Sequence, residues 1–522
     1  MYKLEHITKH RLSFKSYFAL QDLPIFILCA VALWLYTSFL GVISEYDSTF
    51  YVMFFDLMAF HHAIPYKDLF TTQMPFYFYL VSSIWLLCAF FGLTDKFFLF
   101  VIAQFISITS NVISIFLVYL IGRRIRNRLV GVVSAAIFAL SPLSFHAAIS
   151  VVPLSLAIMF TLASITLFLT SGNSTRYFLA GLLFGIACMT RASMLLMLPI
   201  FVLISIWLWY KSRKLESLEL IMLGFALPLL VFGTDLIYYN ALKRVLFDHL
   251  VKGSQPYNEK LIELLRYILG RETYIGVGLF LGFPIILSGN WENRFIGLAG
   301  ASMFFEPVLV GFFDEFYVTE MVCFAAMGFG TLIGFLVGSV SVSRSHFNLR
   351  INSQLLKCWL LIGLVFLSFA MSLGYIVNYS INEVTNSPPI KELEKSPVVG
   401  IIKAYTKPED YVISDLPIFT YLAGRRCPPE IADTDYTRFF TNSLTPTRLI
   451  LICENTLNGI IFILPKITCK SETYTWNLRT VPQKYGLEKG IRDFQKNYAL
   501  ILSLSCFIGI LFLVGLTSNN CS

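Results

Sequence analysis

Residues 24–43, PIFILCAVALWLYTSFLGVI, carry no charged side chain. That is the ~20 residues a helix needs to cross a hydrocarbon layer of ~30 Å. Stretches 97–121, 321–343, 358–382 and 498–522 are equally free of charge. In lipid a spanning segment must satisfy its own backbone, and at this composition only the α-helix does so. The whole chain agrees: 56% of its 522 residues are apolar and 14% charged, with a mean hydropathy of +0.70, whereas a soluble domain carries roughly 25% charged residues. Its 49 Phe and 26 Tyr suit lipid-facing surfaces and interfacial belts. The reading is an all-α polytopic membrane protein, with about 11–13 transmembrane helices, expected as a multi-pass integral protein of the plasma membrane.

Lys3, Lys9, Arg11 and Lys15 put the N-terminal tail on the cytoplasmic side by the positive-inside rule. Residues 1–23 are polar and basic and the first apolar run is long enough to span, so no cleavable signal peptide is expected. The span delivers a first outer loop, 44–75, and apolar runs follow from about 76–92 to 355–376. Strict alternation then leaves Arg123, Arg124, Arg126 and Arg128 outside, so either one early run does not cross or the rule yields to packing. Residues 258–270 read as an amphipathic interfacial helix. Residues 377–497 differ, with mixed charges and two apolar strand patterns, DYVISD (410–415) and GIIFIL (459–464). They are expected to form a small extracytoplasmic α/β domain near the C-terminus, closed by a final helix within 498–522. The domain division is therefore 1–376, 377–497 and 498–522. Cys427, Cys453 and Cys469 lie in the polar segment without CxxC spacing, a weak disulfide signal. The net charge of +8 sits in short clusters, which suits loop anchoring and gives no case for nucleic acid.

The first outer loop holds the most chemistry. It reads SEYDSTFYVMFFDLMAFHHAIPYKDLFTTQMPFYFYL over 44–80. Asp47, Tyr51, Pro65, Tyr66, Asp68 and Pro75 stand in an order that resembles the GT-C superfamily of membrane glycosyltransferases. The nearest likeness is to the branch of dolichyl-phosphate-mannose protein mannosyltransferases and aminoarabinose transferases. AGLLFGIACMTRASMLLMLP (180–199), with Arg191, and DYVISDLPIFTYLAGRRCPPEIAD (410–433) are similar to further family segments.

The resemblance implies an inverting transfer of a sugar from a polyprenyl (dolichyl or undecaprenyl) phosphate to an acceptor at the outer membrane face. A sugar hydroxyl is a weak nucleophile, so a carboxylate must orient it and take its proton. Asp47 takes that position, with Glu45 as the alternative register and Asp68 as a second acid. The departing phosphate needs cationic or polar groups, and Arg191, Tyr66 and Gln73 are the donor-phosphate candidates. The acceptor is a protein, lipid or glycan, in a setting of membrane lipid. No cofactor is implied with certainty; a divalent metal is allowed by the chemistry and not required. His61, His62 and His146 lack metal-ligand spacing. The chain departs from the pattern at Ser48, at Gln73-Met74-Pro75 and at the acidic stretch Asp314, Glu315, Tyr317 and Glu320. The rival reading is a multispan transporter or flippase without catalysis, which would require paired broken helices; no such two-fold pattern stands in the sequence.

Overall fold

The computed structural model describes residues 22–44, 47–170, 174–212, 215–248, 256–309, 315–344, 389–414, 416–432 and 461–463. Its first helix, α1 (Leu23–Thr37), packs antiparallel against α4 (Lys96–Ile125). Asp22 meets Tyr119, Phe26 meets Phe116 with ring centroids 6.1 Å apart, and Gly41 N–H donates to Gln104 Oε1 over 2.7 Å. The chain between them therefore leaves and returns at the same end of the bundle, here called the loop end. It contains α2 (Asp47–His61) and α3 (Phe76–Phe90), joined by an aromatic seam of Tyr51, Phe54, Phe55, Tyr77, Phe78 and Trp85.

Because α1 ends and α4 starts at this one end, α2 and α3 make no net crossing between them. The apolar run 76–92 then stands as the partner of α2 rather than as a crossing of its own: its helix turns aromatic side chains to α2. Arg123, Arg124, Arg126 and Arg128 then fall at the end of the bundle where α1 starts. Asp22, 2% exposed, pairs there with Arg123 (3.4 Å) and Arg128 (2.9 Å). Arg124 grips Glu292 through two bonds of 2.8 Å.

From this arginine end α5 (Arg128–Leu140) and α6 (Pro142–Ile149) climb back, bent by 61°. Pro142 lacks the N–H that a continuous helix would need, and the extended Ser141 caps the new start by accepting from Ser144 N–H. α7 (Leu154–Leu169), α8 (Ser174–Thr190), α9 (Leu198–Ser212) and α10 (Leu215–Tyr238) continue the alternation. α8 and α10 run side by side at backbone contact. A Cβ on Gly181 would stand 2.1 Å from Ile221 O, and one on Gly224 2.1 Å from Phe178 O, so only small residues permit this approach. α11 (Tyr257–Arg266) forms where the amphipathic pattern placed a helix, and the apolar α12 (Thr273–Leu287) follows. α13 (Trp291–Met303) rises again to α14 (Glu306–Leu309), and α15 (Thr319–Arg344) descends to set Phe335 under Arg126, 5.5 Å from guanidinium to ring.

Among the described residues, Lys96–Ile125, Leu218–Tyr238 and Phe316–Val337 are each long and apolar enough to cross a membrane, and the bent pair makes a fourth. Leu223, Leu230 and Ile237 on α10 are 59%, 66% and 73% exposed. An apolar face of that kind belongs against lipid rather than water. The chain is thus an integral membrane protein. Two of the expected crossings, 355–376 and 498–516, lie outside the described residues.

Most of the expected α/β domain at 377–497 also lies outside them. What is described fits the strand patterns. β1 (Val412–Ser414) pairs in parallel with β2 (Ile461–Ile463), and α16 (Pro397–Tyr405) and α17 (Pro417–Leu422) flank β1 in the chain. This segment docks on the loop end. Ile390 N–H donates to Gly41 O (2.8 Å), Lys96 reaches Tyr421 O, and the Tyr421 ring lies 6.1 Å from that of Trp85.

Candidate functional site

The path into α2 is fixed before any functional group is reached. Gly41 has φ +84°, and a Cβ there would stand 2.7 Å from Phe97 Cε2, so glycine alone turns the chain at this point. Gln104, fully buried on α4, accepts from Gly41 N–H and donates to Ile149 O (2.5 Å) and Phe39 O (3.2 Å). His146 Nε2 donates to Ser44 O (2.9 Å), and Ser48 Oγ accepts from Val151 N–H (3.0 Å). Asp47, half-buried at the first position of α2, is thus pinned on both flanks. An acid is favoured there by the helix dipole. Ser48 thereby anchors the helix start to the link between α6 and α7.

Arg191 is the second centre. It interrupts the apolar run between α8 and the 3₁₀ turn Ala192–Met197, with extended backbone. Its Nε pairs with Glu320 Oε1 and lies 3.2 Å from Ser193 Oγ, while Nη2 lies 3.3 Å from Glu306 Oε1. Ser193 Oγ donates to the same Glu320 oxygen over 2.7 Å. These side chains are 15% exposed for Arg191, 6% for Glu306 and 0% for Glu320, so the charges are taken out of water together. The guanidinium lies over the Tyr317 ring at 5.8 Å, and Tyr51 is within electrostatic range of it. Tyr51 stands one helical turn beyond Asp47. Among the described residues these bonds use Nε and Nη2, leaving Nη1 outside them. The carboxylates hold the guanidinium in place, and burial strengthens any further hydrogen bond it makes.

The segment 64–75 forms the third wall. Ile64 N–H donates to Asp68 Oδ2 (2.9 Å) and Asp68 N–H to Ile64 O (2.9 Å), so Asp68 braces the turn that carries Tyr66 in the left-handed region at φ +67°. Tyr66 is buried and donates its hydroxyl to Gln73 O (2.7 Å). It packs with Met74 and Met189, with Ala192 and Leu195 against them, which ties this wall to the Arg191 break. Tyr79 donates to Asp235, and the Arg244 guanidinium lies 4.5 Å from the Phe70 ring.

Of the residues singled out from sequence, Tyr66, Gln73 and Asp68 share one turn, and Arg191 adjoins it through Met189. Asp47 lies one helical turn before Tyr51, which is within electrostatic range of Arg191. Glu45 and Asp314 lie outside the described residues. Glu306 and Arg244 had no sequence signal: each stands in an ordinary run and gains its place only from the fold. His61 Nε2 lies 3.9 Å from Asp56 Oδ2. Burial pushes the Asp56 carboxyl up, and Lys96 and then His61 partly oppose it. Among the described residues no three or more His, Cys, Asp or Glu side chains gather as a metal site would.

Comparison with known proteins agrees with this architecture. The family model described as dolichyl-phosphate-mannose-protein mannosyltransferase matches residues 75–238. No curated protein matches by sequence. Among solved structures, ArnT from Cupriavidus metallidurans bound to undecaprenyl phosphate is similar, with a TM-score of 0.55 and 13% identity, over 82% of this chain and 89% of that one. The apo state of the same protein gives 0.52 and 14%, over 83% and 95%. The resemblance drawn from sequence is borne out at this level: the chain shares the fold of ArnT, and its residues 75–238 match the mannosyltransferase family model.

Proposed function

We propose that this chain, a membrane protein with the GT-C fold, is an inverting glycosyltransferase. It moves a sugar from a polyprenyl phosphate to an acceptor hydroxyl at the loop end, which the basic N-terminal tail makes the outer face. Asp47 takes the acceptor proton as the C1–oxygen bond to phosphate breaks. Arg191 offers Nη1 to the phosphate that leaves with the polyprenyl chain, and Tyr66 and Gln73 line the same approach. Asp68 acts by bracing their turn. The observation that carries the reading is the convergence at one membrane face of a helix-start carboxylate, a buried guanidinium and the 64–75 turn. A transporter has no need of a base and a cation held so rigidly. The segment 377–497 would cover this face as a small α/β domain.

The test is transfer by the purified full chain from a panel of labelled polyprenyl-phosphate sugars. Release of polyprenyl phosphate, with the sugar joined to the acceptor in inverted configuration at C1, is expected for one of them. Binding of these donors without turnover, together with uptake of them into vesicles, would favour the transporter.

A further inference from the structure

Two carboxyl groups face one cation in the Arg191 cluster, and their surroundings are unequal. Glu320 Oε1 meets Arg191 Nε and accepts from Ser193 Oγ, so it has what a carboxylate requires. Glu306 has the 3.3 Å contact to Nη2 and lies within hydrogen-bond range of the Glu320 carboxyl, a contact between two carboxyls that needs a proton on one of them. Among the described residues Oε2 of both glutamates is buried without a hydrogen-bond partner. Among the described residues Ser193, Tyr317, Tyr51 and Cys323 also face the cluster, none of them a second cation. The charges acting on Glu306 are Glu320 and Arg191. Lys260, on α11, which packs against α14, has its Nζ over the Tyr257 ring at 4.3 Å. With both carboxyls ionised the buried cluster would carry an excess negative charge, which is costly to bury and would repel an incoming phosphodiester.

We propose that Glu306 is held as the neutral acid and is a member of the donor-phosphate site, making the Arg191–Glu320–Glu306 cluster electroneutral and fit to receive an anion. This rests on the donor reading of Arg191. Glu320 is then the positioning residue that fixes the guanidinium. Glu306 completes the site without opposing its ligand.

Two measurements on the full chain in lipid nanodiscs test this. Infrared spectra at neutral pH should contain a protonated-carboxyl stretch that is missing in Glu306→Gln; identical spectra in that region overturn the proposal. Binding of a polyprenyl methyl phosphodiester, which keeps one charge across the working range, gives the second reading. Because Gln imitates the neutral acid, Glu306→Gln should bind within about twofold of wild type, whereas removing a buried like charge would tighten binding by about tenfold or more. Tightening of that size overturns the proposal. Arg191→Gln should weaken the same probe by about tenfold or more. Unchanged binding in Arg191→Gln defeats the donor reading, and the infrared band still decides the state of Glu306. If Glu306→Gln fails to fold, Glu306→Asp replaces it: the protonated-carboxyl band should move in frequency with the changed side chain, and a band that persists unchanged overturns the proposal.

Discussion

Asp47 is the residue on which the chemistry turns. Asp47→Asn keeps the size and the helix-start position but cannot accept a proton, so transfer should fall by ~10²–10⁴-fold, the usual worth of a general base. Thermal stability should hardly move, since Ser48, His146 and Gln104 fix the neighbouring backbone. Glu45→Gln should cost far less; the reverse pattern would mean that the base lies two residues earlier. At Arg191 the loss should appear in donor KM more than in acceptor KM. Arg191→Gln also leaves Glu306 and Glu320 without their cation, and breaking a buried pair costs about 3–5 kcal/mol. The variant should therefore also melt earlier, a combined signature that a lipid-facing, snorkelling arginine would not give. The sequence exposed Arg191 because a lone charge in an apolar run is conspicuous. It concealed Glu306 because that residue sits more than a hundred positions away, with no spacing rule linking the two. Asp68 was legible as an acid in a motif, but its hydrogen bond to Ile64 N–H, which makes it a brace, depends on turn geometry that the motif does not encode.

At the scale of elements, two contacts decide the arrangement. The α8–α10 crossing depends on glycine, since a methyl at Gly181 would run into the Ile221 carbonyl at 2.1 Å. Gly181→Ala should destabilise by about 1–3 kcal/mol through overpacking. The check is a lower Tm in detergent, with donor binding retained by the fraction that remains folded. Gln104 ties α1, α4 and α6 at the head of the outer loop. Gln104→Leu keeps the volume but strands the Gly41 N–H and the Ile149 carbonyl in a dry interior, at about 1–3 kcal/mol for each buried group left unsatisfied. Activity should fall further than stability alone explains, because Asp47 hangs from that turn. Neither contact could be read in advance. Hydropathy marked the long helices well, yet it scored the run 76–92 as a span because α3 is as apolar as a crossing helix. What separates them is the return of the chain to the end it left and the aromatic face that α3 turns to α2.

For the whole molecule, the arrangement makes a topological statement. In a cysteine-free background, single cysteines at Lys67 and Leu93 should react with an impermeant maleimide from the same side of sealed vesicles, and a cysteine at Asn127 only from the other. Opposite labelling of the first two would return α3 to the membrane and reopen the arginine parity. The helical membrane class was legible throughout, because it follows from composition. The site was legible only where one short stretch carried it.

The docking of Tyr421 on Trp85 and Lys96, and of Ile390 on Gly41, joins parts of the chain made at very different times. Chains fold as they are synthesised, N-terminal parts first. On the topology proposed above, α2 and α3 are therefore delivered across the membrane long before their partner segment exists, and they must wait, partly unclad, while about three hundred further residues are made. The ribosome reaches the clasp only near the end of its work. A message cut short upstream of it would yield a protein with its membrane helices in place and its outer helices unsealed, visibly incomplete to whatever proteases patrol that surface.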